Sequence, residues 1–290
     1  MKVSGFSFIR NAEIYDYPIV EAITSVLPLV DEFIVAVGKS EDNTEALIRG
    51  INSPKIKILN TVWDDNMRSG GRVLAQETDK ALAEVSVDSD WAIYIQGDEV
   101  LHEDGIKPLR EAMEKYKNDL RVEGILLRYR HFYGSYNYIA DSRNWYRREI
   151  RVVRTGRNIV SYRDAQGFRN ADNRKLNVKS AEVYMYHYGW VKSLPEQRRK
   201  LSYFGRFWHS DDHMKLESRK AENFKYESVD SVKEFTGTHP AVMLERIKRH
   251  PGQLVLDTTR KNMRKRRRLL MFVEERLGLR FGEYKNYKLI

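Results

Sequence analysis

The first 120 residues alternate between short apolar runs and stretches of helical spacing. "VSGFSFI" (3–9) reads as a buried strand. From Tyr17 to Leu27, Ile19, Val20, Ile23, Val26 and Leu27 recur at helical spacing, and Pro18 suits a first turn. "EFIVAV" (32–37) predicts a second strand. "SEDNTEALI" predicts the next helix, with Asp42 as N-cap and Glu45 three residues on, a capping-box pattern. A third strand, "KIKIL" (55–59), precedes a glycine-led helix, "GGRVLAQETDKALAEV" (70–85). "WAIYI" (91–95) is a fourth strand and "DGIKPLREAMEKYK" (104–117) a further helix. Strands alternating with helices in this way imply βαβ units and a parallel sheet covered on both faces. Such sheets hold their ligands beyond the carboxyl ends of the strands.

After about residue 120 the pattern changes. "VEGILLRYRHFYGSYNYI", "WYRREIRVVRTG", "NIVSY" and "AEVYMYHYGWV" are β-like, with Tyr and Arg in alternation. From Pro195 onward the chain is mostly helical and basic. The expected fold class is α/β: a mostly parallel sheet flanked by helices, a mixed β region, and a helical basic C-terminus.

Composition narrows the possibilities. The 290 residues suit one large α/β domain with an appendage or two modest domains, and at 41% hydrophobic and 32% charged the chain can bury a core. No run approaches the ~20 apolar residues that cross a bilayer. "MKVSGFSFIRN" lacks the apolar stretch and cleavage site of a secretory signal, so the expectation is a cytoplasmic protein. Cysteine is absent, which excludes disulfides and thiolate metal sites. Net charge is +10, but "RKNMRKRRR" (260–268) carries seven of those charges. The basicity is a local patch with no recognition module beside it, which argues against a nucleic-acid partner.

One apolar run ends abruptly in acid: "WAIYIQGDEVLHED" (91–104) places Asp98 and Glu99 just past the fourth strand, where this architecture puts its site. That block, with "RNAE" (10–13) and "DEFIVAVGKSEDNT" (31–44), resembles the family-2 glycosyltransferases of the GT-A fold over residues 1–105. There are departures. Val37 and Gly38 stand where the family ends its second strand in an acid, and Gln96 replaces the first Asp of its Asp-x-Asp. The resemblance implies a domain over 1–210, with 211–290 as a helical basic extension. It implies Mn²⁺ or Mg²⁺ held by Asp98, with His187 as a late addition to the metal shell; both ions suit oxygen and imidazole donors. It also implies a nucleotide bordered by Ile9, Arg10, Asn11 and Glu13, by Gly38 and Asp42, and by Asp65, Arg72, Gln76, Gln96 and Gly97. The base that deprotonates an acceptor hydroxyl should be a carboxylate. Asp164 in "SYRDAQGFR" is preferred, with Asp141 in "YIADSRNW" and Glu99 as alternatives. His239, before a proline, reads as turn punctuation.

The expected function is a metal-assisted, inverting transfer of a sugar from a nucleoside-diphosphate sugar to a hydroxyl on a glycan, lipopolysaccharide or lipid-linked acceptor. Two alternatives stay open. A nucleotidyltransferase would carry a Gly-rich loop after the first strand, which "FIRNAE" lacks. A non-catalytic relative would bind anionic glycan or membrane through its basic end. In that end, Leu269, Leu270, Val273 and Leu277 share a helical face beside the Arg cluster. Residues 260–277 thus form an amphipathic basic segment able to rest on an anionic membrane surface.

Overall fold

The computed structural model describes residues 1–209, 211–250, 254–278 and 280–290. Its first half follows the βα alternation: β1 (Val3–Ile9), α1 (Ile19–Val26), β2 (Glu32–Gly38), α2 (Thr44–Arg49), β3 (Ile56–Thr61), α3 (Arg72–Ala83) and β4 (Trp91–Tyr94). These strands lie parallel in the order β3-β2-β1-β4. Both faces are covered, so side chains alternate between two cores. Phe33, Val35 and Val37 of β2 pack with α1, whereas Ile34 and Ala36 pack with Val73, Leu74 and Ala81 of α3.

The chain continues through β5 (Glu99–Leu101), α4 (Ile106–Tyr116), β6 (Gly124–Tyr133), β7 (Ser135–Ala140), β8 (Arg148–Arg154), β9 (Ile159–Tyr162), β10 (Gly167–Asn170) and β11 (Leu176–Trp190). β8 joins β4 antiparallel and carries the sheet on to β6 and β7. β11 runs parallel to β6, and its register shifts between Ser180 and Tyr184, where Glu182 takes a positive φ of 51°. The rest comprises α5 (Leu194–Gly205), α6 (Asp211–Glu222), β12 (Val232–Glu234), α7 (Leu244–Arg249), α8 (Lys265–Leu277) and β13 (Tyr287–Leu289). β12 pairs with β7 and β13 with β11, so residues beyond 211 return to the sheet twice.

One local expectation is corrected. Asp42 is not the cap of α2; Asn43 holds that position, and Glu45 pairs with Arg49 one turn on. Asp42 accepts from the Thr44 N–H at the start of α2 at 3.0 Å and, through its other oxygen, from the backbone N–H groups of Glu13 and Ile14, tying the β1 turn to the β2–α2 loop.

Candidate active site

A cavity of about 310 Å³ opens beyond the carboxyl ends of β1 and β4. Phe8, Ile9, Arg10, Tyr17, Trp63, Gln96, Gly97, Asp98, Asp164, Lys200, Phe204 and Trp208 contribute to its wall. Asp98 arrives on the turn after β4. His187 arrives from β11, because β5 pairs antiparallel with β11 and sets His187 opposite Glu99. The Tyr188 N–H donates to the Asp98 carbonyl at 2.8 Å, which locks the two segments together. As a result His187 Nε2 lies 3.6 Å from Asp98 Oδ2.

The imidazole hydrogen bonds fix which nitrogen carries the proton. His131 Nε2 lies 2.8 Å from the Tyr146 carbonyl, which can only accept, so Nε2 holds the proton. Burial, reinforced by His187, holds the His131 pKa well below its ordinary value, so the ring is neutral and Nδ1 is bare. His187 Nδ1–H therefore donates to His131 Nδ1 at 3.3 Å. His187 is also lowered by burial, against the opposing pull of Asp98. Its neutral ring turns a bare Nε2 lone pair towards the Asp98 carboxylate.

A neutral imidazole nitrogen beside a carboxylate oxygen, 3.6 Å apart, is a donor pair that would suit a divalent ion. Gly189 keeps the space open: a Cβ there would fall 2.4 Å from Asp98 Oδ2 and 2.9 Å from the His187 ring. Among the described residues no third His, Asp or Glu joins the pair. Such a donor set fits Mg²⁺- or Mn²⁺-type ions, which are commonly held by one or two protein groups and completed by substrate phosphates. Burial alone would raise the Asp98 carboxyl, but the neighbouring ammonium groups of Lys200 and Lys192 help hold it below its ordinary value.

Lys200 gave no signal in the sequence. Its Nζ donates to Asp98 Oδ2 at 3.4 Å and to the Gly189 carbonyl at 2.9 Å. Lys192 and Lys200 both stack on Tyr17, at 4.8 and 5.0 Å from the ring centre. Burial lowers both lysines, Lys192 to about 7. The one legible hint was "SLPE", whose Ser193–Glu196 capping box, with Pro195 beside it, starts α5 two turns before Lys200.

Asp164 sits between Arg163 and Ala165, both at positive φ (59° and 63°). That geometry is costly for side-chain-bearing residues, and two clamps hold the loop. Gln96 Nε2 donates to the Ala165 carbonyl at 3.1 Å, and Arg151 donates to the Gln166 carbonyl at 2.8 Å. Burial raises the Asp164 carboxyl above its ordinary value, opposed by its own backbone and by Arg163. Behind the loop, Glu149 accepts from Gln166 at 2.9 Å, and burial pushes it up to about 8.

The remaining sequence candidates fall in other places. Glu99 is fully buried, chelated by Arg151 at 2.8 and 2.9 Å and bonded by the Tyr129 hydroxyl at 2.6 Å, so it has no free oxygen for an acceptor. Asp141 lines a separate cavity of about 280 Å³ with Arg128, Arg130 and Arg147, and pairs with Lys261. Asn11 and Glu13 build the β1 turn through bonds to Ser40, Glu41 and Asn43. Gly38 and Asp42 face a neighbouring cavity. Arg72 and Gln76 are exposed on α3 and do not contribute to the site cavity. Asp65 bridges Arg10 and Arg206 at the rim. At Gly38 any Cβ would lie 2.4 Å from Trp63 Nε1, so the indole occupies the space of an acid side chain. His239 is half-buried, bonded to the Tyr188 hydroxyl and the Tyr136 carbonyl, and burial lowers it to about 4.

No family model matches the sequence, and no curated protein does. Among solved structures, the chain is similar to glucosyl-3-phosphoglycerate synthase from Mycobacterium tuberculosis in complex with Mn²⁺, UDP and phosphoglyceric acid. The identity is 20% over 45% of this chain and 43% of that one, with a TM-score of 0.32. It is also similar to S. aureus TarS, at 14% identity over 77% of this chain and 43% of that one, TM-score 0.42. Against TarS residues 1–349 the figures are 13%, 77%, 71% and 0.42. The chain thus spans less than half the length of the synthase and of the longer TarS chain. At such scores the likeness adds nothing to what the sheet order shows by itself.

Proposed function

We propose that the protein is a glycosyltransferase that moves a sugar from a nucleoside diphosphate to an acceptor hydroxyl, with inversion and with help from Mn²⁺ or Mg²⁺. The observation that carries this reading is the convergence of Asp98, Lys200 and Asp164 on one cavity at the strand ends, with His187 3.6 Å behind Asp98. Asp98 and His187 would hold the ion, which supplies Lewis-acid stabilisation of the departing diphosphate. Lys200, fixed to Asp98 and the Gly189 carbonyl, places a second positive charge beside the leaving group. As the acceptor oxygen bonds the anomeric carbon, the bond to the diphosphate breaks and Asp164 takes the hydroxyl proton. Its raised pKa makes it a stronger base than an exposed carboxylate. Arg10, Trp63 and Trp208 bound the nucleotide end of the cavity. The acceptor is a glycan or a lipid-linked saccharide.

The test is a thermal-shift screen of nucleoside diphosphates and their sugars with and without Mn²⁺, followed by donor hydrolysis assays. A bound donor raises the melting temperature by mass action. Asp98→Asn should lose the Mn²⁺-dependent part of that rise. Asp164→Asn should keep donor binding and lose turnover. A protein that binds no nucleotide, or an Asp98→Asn variant indistinguishable from wild type, overturns the reading.

A further inference from the structure

α8 is built with its polarity reversed. Its inward side is anchored by Glu274, whose buried carboxylate meets Arg143 at 2.5 Å, Arg147 at 2.6 Å and Arg280 at 3.6 Å. Met271 is the other buried residue. On the sheet side, Arg267 bonds Asn144 at 2.7 Å. These contacts fix the rotation of the helix and leave Lys265, Leu269, Phe272 and Arg276 pointing away from the protein, spaced as one helical stripe. Leu269 is 63% exposed and Phe272 55%, with Leu277 and Phe281 similarly open just beyond. The stripe differs from the one expected from sequence, since Leu270 and Val273 are half-buried.

The exposed apolar stripe lies inside a field of like charge. Arg264, Lys265, Arg266 and Arg268 are exposed around its start, and Arg276 stacks on Phe272 at 5.6 Å. Among the described residues, Arg264, Lys265 and Arg266 have no carboxylate partner. A second copy of the same face would bring two such clusters together, which charge repulsion opposes. An anionic bilayer suits both features: headgroups receive the cations, and the acyl boundary receives Leu269 and Phe272. No described helix is long and apolar enough to cross a membrane, so contact through this helix would be lateral.

We propose that the outward face of α8 docks the protein on an anionic lipid surface, with Leu269 and Phe272 inserted and Lys265, Arg266, Arg268 and Arg276 at the headgroups. The inference stands on α8 alone and does not depend on the reaction. The test is co-sedimentation of the full chain with vesicles of phosphatidylcholine, alone or mixed with phosphatidylglycerol, at low and high salt. Binding should require phosphatidylglycerol and weaken with salt. Leu269→Ser/Phe272→Ser should lower partitioning at least about tenfold, and Lys265→Ser/Arg266→Ser should weaken it by a similar order. All four positions are exposed, so the melting temperature should not change, which separates lost docking from lost folding. Three results overturn the proposal. One is absence of binding to anionic vesicles at low salt. Another is binding unchanged by Leu269→Ser/Phe272→Ser, which would mean plain electrostatic adsorption. The third is concentration-dependent dimerisation abolished by that variant, which would assign the face to a second copy.

Discussion

Replacing His131 by Phe tests the proton arrangement in the site. In the wild type the Tyr146 carbonyl fixes the His131 proton on Nε2, and the bare Nδ1 of His131 then holds the His187 proton on Nδ1. In His131→Phe that acceptor is gone. His187 is 9% exposed, so its Nδ1–H would be left buried without a partner. The ring escapes by moving the proton to Nε2, where it faces Asp98 Oδ2. To bind an ion the proton must return to Nδ1, at the cost of an unsatisfied buried donor, about 1–3 kcal/mol. Mn²⁺ affinity should therefore fall by about 5- to 150-fold. The assay is titration of Mn²⁺ alone, followed by electron paramagnetic resonance, with the imidazole ¹⁵N shifts of His187 reporting the tautomer in the metal-free protein. His131→Gln, whose amide oxygen can accept, should restore part of the affinity. The reasoning is refuted if His131→Phe folds, keeps its Mn²⁺ affinity and leaves the His187 tautomer unchanged.

Other predictions rest on separate features. Gly189→Ala puts a methyl against Asp98 Oδ2 and should weaken Mn²⁺ binding at least about tenfold, with overpacking costing about 1–3 kcal/mol; calorimetric titration beside a melting curve checks both. Arg151→Met strands the buried Glu99 and should cost about 3–5 kcal/mol, a drop of roughly 5–8 °C in melting temperature for a chain this long. Adding Glu99→Met should recover most of that loss, since an apolar pair carries no uncompensated charge. Glu149 titrates at about 8 in the fold against an ordinary 4.5, so the folded state favours its neutral form. Its contribution is complete below pH 4.5 and is lost as pH rises through 8. Urea unfolding across that window should show wild type losing about 4–5 kcal/mol relative to Glu149→Gln, and parallel curves would refute it.

The parallel half of the fold was legible because its strands and helices carry local signals. β1, β2 and β4 are apolar on both faces, and α1 and α3 show helical spacing, so each element announces itself within a few residues. Asp98 was legible for the same reason, as the charge that ends an apolar run. The partnership of Asp98 with His187 was expected only through the family resemblance and not from any local pattern, because the residues are far apart in sequence. It depends on the register of β5 against β11, and strand register is set by tertiary packing that no local pattern encodes. The same holds for His131, whose function comes from its neighbours on β11 and the β7–β8 loop.

The two departures from the expected acid pattern have physical explanations that only contacts disclose. At position 96 a carboxylate could not donate to the Ala165 carbonyl; the Gln96 amide does, and in so doing it holds the strained loop that presents Asp164. At position 38 Trp63 leaves no room for any side chain, and its indole turns the neighbouring wall of the cavity aromatic. Both changes exchange an acid for a packing or clamping contact, while Lys200 adds a cation beside the acid that remains. The cavity is therefore more positive and more aromatic than its sequence motif suggests. Such a wall favours a ligand with an anionic group at one end and a flat ring at the other.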